Sequence, residues 1–123
     1  MATRCKIAAR FSKDETIKAI NCHYDGYLQH TGVKLLTNYY DNDIIEELLL
    51  LGNIQSLGYS PETTPSYYNM GETYRSSEYK TVEELLEDNK YIDYIYFWDV
   101  DKWLVRSTSR NNFERLADLI KHA

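Results

Sequence analysis

Two strand–turn–strand stretches, and the helical spacing of the segments around them, predict an α+β domain. Its expected form is a largely antiparallel sheet from two hairpins with helices packed on one face. At 123 residues the chain has the common size of one domain, so 1–123 reads as a single domain that needs neither disulfides nor a metal to fold.

Arg4 to Phe11 alternates, with Cys5, Ile7, Ala9 and Phe11 on one face and Arg4, Lys6, Ala8 and Arg10 on the other, the pattern of a half-buried strand. Thr16 to Tyr24 is rich in β-branched and aromatic residues. A two-residue turn at Lys13-Asp14 pairs Ile7 with Ile20 and Cys5 with Cys22. That register buries Cys5, Ile7, Phe11, Ile20, Cys22 and Tyr24, and leaves Arg4, Lys6, Arg10, Asn21, His23 and Asp25 on the other face. The cysteines are then dry cross-strand neighbours, expected to remain reduced thiols and not to act as nucleophiles.

From Leu28 to Tyr40, the positions Val33, Leu36 and Tyr40 follow helical spacing. Asp41-Asn42-Asp43 interrupts and caps a second helix, Asp43 to Leu51, closed by Gly52. Leu48 to Leu51 is apolar on more than one side, so this helix is deeply buried or faces a partner. Residues 53–80 carry Gly58, Pro61, Pro65 and Gly71 with little periodicity, which predicts a long connection with at most short strands near Tyr67-Tyr68 and Thr73-Tyr74. Thr81 to Glu84 has the form of a capping box opening a short helix that ends near Asn89. Tyr91 to Trp98 is the strongest strand and reads as central. Asp99 to Lys102 turns it back into Trp103 to Arg106, setting Trp98 opposite Trp103. The last helix, about Asn112 to His122, carries Phe113, Leu116, Ala117 and Ile120 as one apolar stripe.

Fourteen basic and nineteen acidic side chains give a net charge of −5, which repels a phosphate backbone and disfavours nucleic acid as a partner. No apolar run approaches the roughly 20 residues that cross a bilayer, and Met1 to Lys6 lacks the apolar stretch of a signal peptide. The expected location is therefore the cytoplasm, with no membrane partner. Twelve tyrosines are the unusual feature of the composition; strands favour tyrosine, and so do protein interfaces.

Cys22 to His30 gathers two imidazoles, a carboxylate and a thiol at a strand-to-helix junction. His23 and Asp25 share a strand face, and helix entry can bring His30 towards them as a ligand-binding or acid–base group. The competing reading has Asp25 cap the following helix or order the turn at Gly26, with His23 bonded locally. Only three histidines exist and their spacing matches no established metal motif, so no metal or cofactor is assigned. Asp99-x-Asp101 sits in a hairpin turn, where aspartate is favoured for backbone reasons. The chain has no phosphate-binding glycine loop and no nucleophile elbow, and no catalytic residue is assigned. Arg4, Lys6 and Arg10 give the polar face of the first hairpin a local positive charge, suited to a carboxylate, a phosphate or an acidic partner patch. Tyr67, Tyr68, Tyr74 and Tyr79 lie in the segment least able to bury them and are the candidate protein-binding anchors.

Cys22-His23-Tyr24-Asp25-Gly26-Tyr27, His30-Thr31-Gly32, Leu35-Leu36, Tyr40 and Leu51-Gly52-Asn53-Ile54-Gln55-Ser56-Leu57-Gly58 together resemble a family of small proteins encoded by bacteriophages and prophages. In that family the first segment usually reads Cys-His-Trp-Asp-Gly-Tyr and the last Gly-Asp-Ile-Ser-Ser-Leu. This chain has Tyr24 in place of the tryptophan and Asn53 in place of the aspartate. Thr3-Arg4 and Gly71-Glu72 are also similar, so the likeness covers most of the first 75 residues. The resemblance brings no catalytic residue with it; it implies a viral accessory protein acting in a bacterial host cell. The expected function is a non-enzymatic phage or prophage accessory protein that binds and inhibits a host protein, with an anti-CRISPR or other counter-defence role as its sharpest form. The alternative is a small-ligand binder or enzyme, for instance one that captures or cleaves a nucleotide signal with Arg4, His23, Asp25 and His30. An enclosed pocket at His23 would favour the alternative, and a flat exposed aromatic patch favours protein binding.

Overall fold

The computed structural model describes residues 3–66, 76–88, 90–107, 110 and 112–121. In chain order the elements are β1 (Cys5–Arg10), β2 (Ile17–Cys22), a π-helical turn (Leu28–Gly32), α1 (Val33–Asn38), α2 (Asn42–Leu50), a 3-10 turn (Pro61–Thr63), β3 (Ser77–Tyr79), α3 (Val82–Glu87), β4 (Tyr94–Asp99), β5 (Trp103–Ser107), β6 (Glu114–Arg115) and α4 (Leu116–Lys121).

Both hairpins form in the expected registers. Cys5 lies opposite Cys22 and Ile7 opposite Ile20 in the first; Trp98 lies opposite Trp103 in the second, with ring centroids 5.5 Å apart. The two hairpins join through β1 and β4, which run parallel from Cys5 opposite Tyr94 to Arg10 opposite Asp99. Every other neighbouring pair in the six-stranded order β3-β2-β1-β4-β5-β6 is antiparallel, so the fold is the α+β arrangement that the sequence predicts.

One sheet face packs Cys5, Ile7, Ala9, Ile20, Cys22, Tyr96, Trp98, Trp103 and Val105 against α1, α2 and α4, which contribute Leu35, Tyr39, Ile45, Leu48 and Leu116. The capping predicted for α2 holds: the Asp41 carboxylate accepts the Ile44 N–H at 3.0 Å. Leu48 and Leu49 are buried while Leu50 is 69% exposed, so the leucine run turns only part of itself to the core.

The opposite face corrects the reading of β1 as half-buried. Ala8, Ile17, Ala19, Ile95 and Phe97 give it an apolar floor, which Tyr79 of β3, Leu85 of α3 and Phe113 cover. The floor went unread because small alanines alternate with lysines and arginine, a pattern that resembles a solvated strand face. Phe113 packs on this side whereas Leu116 packs on the other, so the expected single stripe is divided: residues 114–115 form a short edge strand and helix starts only at Leu116. Tyr24, expected in the core, is 51% exposed because the chain leaves β1 after Cys22.

Candidate functional site

The two segments that carry the family resemblance pack against each other. The Asn21 N–H donates to Asn53 Oδ1 at 3.0 Å, and the Asn21 carbonyl accepts the Ile54 N–H at 2.9 Å. Beyond β2 the His23 N–H donates to the Ile54 carbonyl at 3.2 Å and the Tyr24 N–H to the Gln55 carbonyl at 2.8 Å. Gly52, at φ 74°, makes the left-handed turn out of α2 that brings this strand-like piece alongside β2.

Residues 53–66, expected as loose connection, form a cross-braced platform. The Gln55 N–H donates to the Pro65 carbonyl at 2.9 Å, Ser66 Oγ to the Leu51 carbonyl at 2.8 Å, and the Gly58 N–H to Thr64 Oγ1 at 3.0 Å. From the core, the Tyr39 hydroxyl donates to the Gly58 carbonyl at 3.1 Å. The lack of periodicity conveyed none of this, because the braces are side-chain-to-backbone bonds and isolated bridges at Ile54, not a continuous helix or strand ladder.

A strip of exposed tyrosines and half-buried basic side chains stands on this platform. Lys34 Nζ donates to the Leu57 carbonyl at 3.0 Å and sits 4.5 Å from the centroid of the Tyr59 ring. His30 Nε2 lies 3.1 Å from the same carbonyl and donates to it in the tautomer that protonates that nitrogen. The His30 ring is 6.0 Å from that of Tyr27. Tyr24, Tyr27 and Tyr59 are 51%, 40% and 68% exposed. Sequence reading passed over Tyr27, Lys34 and Tyr59; the available signal was their position within or beside the two segments of the resemblance.

The turn below the strip is set by packing. A Cβ on Gly26 would lie 2.9 Å from Cys5 Cβ and 3.0 Å from the Thr3 carbonyl oxygen, and the Gly26 carbonyl accepts the Tyr96 hydroxyl at 2.7 Å. Asp25 adopts φ 59° and its carbonyl accepts Thr31 Oγ1 at 2.7 Å, so backbone and not carboxylate orders the turn. Cys22 Sγ donates to the Tyr24 carbonyl at 3.2 Å. Burial pushes the Cys5 thiol well above its usual pKa, reinforced by Cys22 beside it, which keeps the proton on Cys5. Gly26→Ala is accordingly expected to destabilise by about 2 kcal/mol through overpacking, read as a lowered denaturant midpoint at unchanged slope; an unchanged midpoint would show that the contact relaxes freely.

The remaining expected site residues separate. Lys6 is buried: its Nζ donates to the Tyr79 hydroxyl at 2.8 Å and to Asp88 Oδ2 at 3.1 Å, and the Tyr79 hydroxyl also donates to Asp88. Arg10 Nε donates to Asp99 Oδ1 at 2.8 Å and Lys13 Nζ to Asp99 Oδ2 at 3.2 Å. The basic strand face proposed around Arg4, Lys6 and Arg10 therefore does not exist as one surface. Lys6 and Arg10 are neutralised within the fold, because the face they occupy is covered, and Arg4 alone is exposed. Tyr79, expected as an exposed anchor, is a buried part of the Lys6 network, since β3 pairing turns it onto the sheet. Tyr67, Tyr68 and Tyr74 lie outside the described residues.

His23, Asp25 and His30 are not gathered into one chemical group. His23 lines a hollow of about 100 Å³, and His30 faces the Leu57 carbonyl. Among the described residues no three His, Cys, Asp or Glu side chains are arranged to hold a metal ion, and no helix is long and apolar enough to cross a membrane. A wider groove, about 480 Å³ between the hairpin tip and α2, is lined by none of the six expected ligand-binding residues. Set beside protein-family models, curated proteins and solved structures, the chain matches none, so its own geometry carries the functional reading.

Proposed function

We propose that the chain is a protein-binding accessory protein whose contact surface is the strip formed by Tyr24, Tyr27, His30, Lys34 and Tyr59. The observation that carries this reading is the exposure of three tyrosines on a platform whose backbone is already braced. Interfaces draw most of their energy from tyrosine, tryptophan and arginine anchors, and preformed surfaces lose little entropy on binding. The hollow at His23 is far below the roughly 300–1,000 Å³ of a site that encloses an organic ligand. In the viral context that the sequence resemblance implies, the partner is a host protein of a bacterial cell. Occupying it would inhibit it, with an anti-CRISPR or other counter-defence role as the specific form.

The test begins with co-purification of the tagged chain from phage-infected cells, followed by titration of the recovered, purified partner. Tyr59→Ala is expected to weaken affinity about thirtyfold, near 2 kcal/mol, with the melting temperature unchanged. Equal affinity for the parent chain, Tyr27→Ala and Tyr59→Ala would remove the strip as the contact surface.

A further inference from the structure

The geometry points to a second site, for a phosphate monoester, in the hollow between the start of β1, the end of β2 and residues 90–92. Its lining includes Arg4, Asn21, His23, Lys90 and Tyr91, so an arginine, a lysine and a histidine line one small concavity of a chain whose net charge is −5. Among the described residues neither Arg4 nor Lys90 makes an ion pair, in contrast to Lys6, which pairs with Asp88, and to Arg10 and Lys13, which pair with Asp99. The lining carries basic side chains and no carboxylate, which favours an anion there.

Size and shape narrow the class. About 100 Å³ holds a few water molecules, which suits a tetrahedral oxyanion and excludes a whole organic ligand. Arginine supplies a planar fork for two phosphate oxygens and lysine a point charge. The Arg4 main chain is fixed at the edge of the hollow: its N–H donates to Asp93 Oδ2 at 3.0 Å, and its carbonyl accepts the Asp93 N–H at 2.8 Å. The Asp93 carboxylate lies beside Arg4 but is not among the residues that line the hollow. Tyr91 adopts φ 64°, a left-handed conformation that is uncommon for an aromatic residue; the residue is 73% exposed, and Lys90 Nζ lies 5.3 Å from its ring centroid. An aromatic face at the rim gives a monoester bearing a flat ring more contact than inorganic phosphate has.

The site uses none of Tyr24, Tyr27, His30, Lys34 and Tyr59, so its failure leaves the protein-binding reading standing, and the reverse holds. The experiment titrates the isotope-labelled chain with adenosine monophosphate, inorganic phosphate and adenosine at constant ionic strength, following backbone amide resonances. Expected are saturable shifts at residues 4, 21–23 and 90–92 with the monophosphate, weaker binding at the same residues with inorganic phosphate, and none with adenosine. Arg4→Ala and Lys90→Ala, both at exposed positions, are each expected to weaken monophosphate binding about tenfold or more through loss of a charge-assisted contact. Equal affinity for the two phosphate compounds supports the phosphate site and discounts only the Tyr91 contact. The proposal is overturned if neither phosphate compound gives saturable shifts, if adenosine shifts these residues as strongly as its monophosphate, or if both substitutions leave affinity unchanged.

Discussion

Trp103→Ala is expected to lower the unfolding free energy by about 3–5 kcal/mol, a large part of the margin of a domain this size. Trp103 is 2% exposed, packs at 5.5 Å from Trp98, and donates its indole N–H to the Tyr39 carbonyl at 2.7 Å. The substitution opens a cavity and also leaves that buried carbonyl without its partner. Trp103→Phe separates the two effects: it keeps most of the ring volume and is expected to cost about 1–3 kcal/mol, chiefly for the unmet carbonyl. Equilibrium denaturation of both variants checks the pair, and equal losses would mean that the unmet carbonyl alone decides and that ring packing adds nothing. Because Tyr39 ends α1 and braces Gly58, the same substitution should loosen the platform under Tyr59 before global unfolding.

Lys6→Ala is expected to cost about 3 kcal/mol, whereas Lys6→Met should stay within about 1 kcal/mol of the parent chain. The contrast follows from what Lys6 contributes. Its stem crosses the covered sheet face and its side chain is 4% exposed, while Asp88 is 62% exposed, so the pair is buried at one end only. Methionine retains the stem, and the Tyr79 hydroxyl still donates to Asp88. Alanine removes the stem and leaves a void on the covered sheet face beside Tyr79. A loss as large for methionine as for alanine would show that the charge, and not the stem, carries the stability.

The same network sets the acid response. The Tyr79 hydrogen bond, and then Lys6, hold Asp88 below the usual carboxylate range. For Asp99 burial acts upward, but Arg10 and Lys13 outweigh it and the net shift is down. A depressed carboxylate stabilises the fold fully above its unfolded pKa, about 4, and the contribution is lost as pH falls through the lower folded value. Unfolding free energy should thus decline in acid below pH about 4, and Asp99→Asn should flatten that decline.

Local rules made much of this fold legible. The Lys13-Asp14 turn fixed the register of the first hairpin, and the Asp99–Lys102 turn placed Trp98 opposite Trp103, because a short turn leaves few registers that keep one face apolar. The parallel pairing of β1 with β4 was not legible, since no turn specifies an association between strands more than eighty residues apart. That pairing and the β3–α3 cover explain why Lys6 and Arg10 are internal: their neighbours Ala8 and Ala19 look neutral in sequence and become floor only when another layer lies over them. The site was half legible. Cys22 to His30 stood out for its imidazoles and carboxylate, yet the structure turns those groups to separate tasks and brings forward Tyr27, Lys34 and Tyr59, which carry no catalytic signature.

Hydrogen exchange on the complex with a purified partner bears most directly on the strip as the contact surface. Partner binding should slow exchange at residues 23–34 and 55–60, the span of Tyr24, Tyr27, His30, Lys34 and Tyr59, and leave α3 and the β5–β6 edge unchanged. Protection confined to α3, the β5–β6 edge or the segment from Tyr67 to Tyr74, with residues 23–34 and 55–60 exchanging as in the free chain, would contradict it.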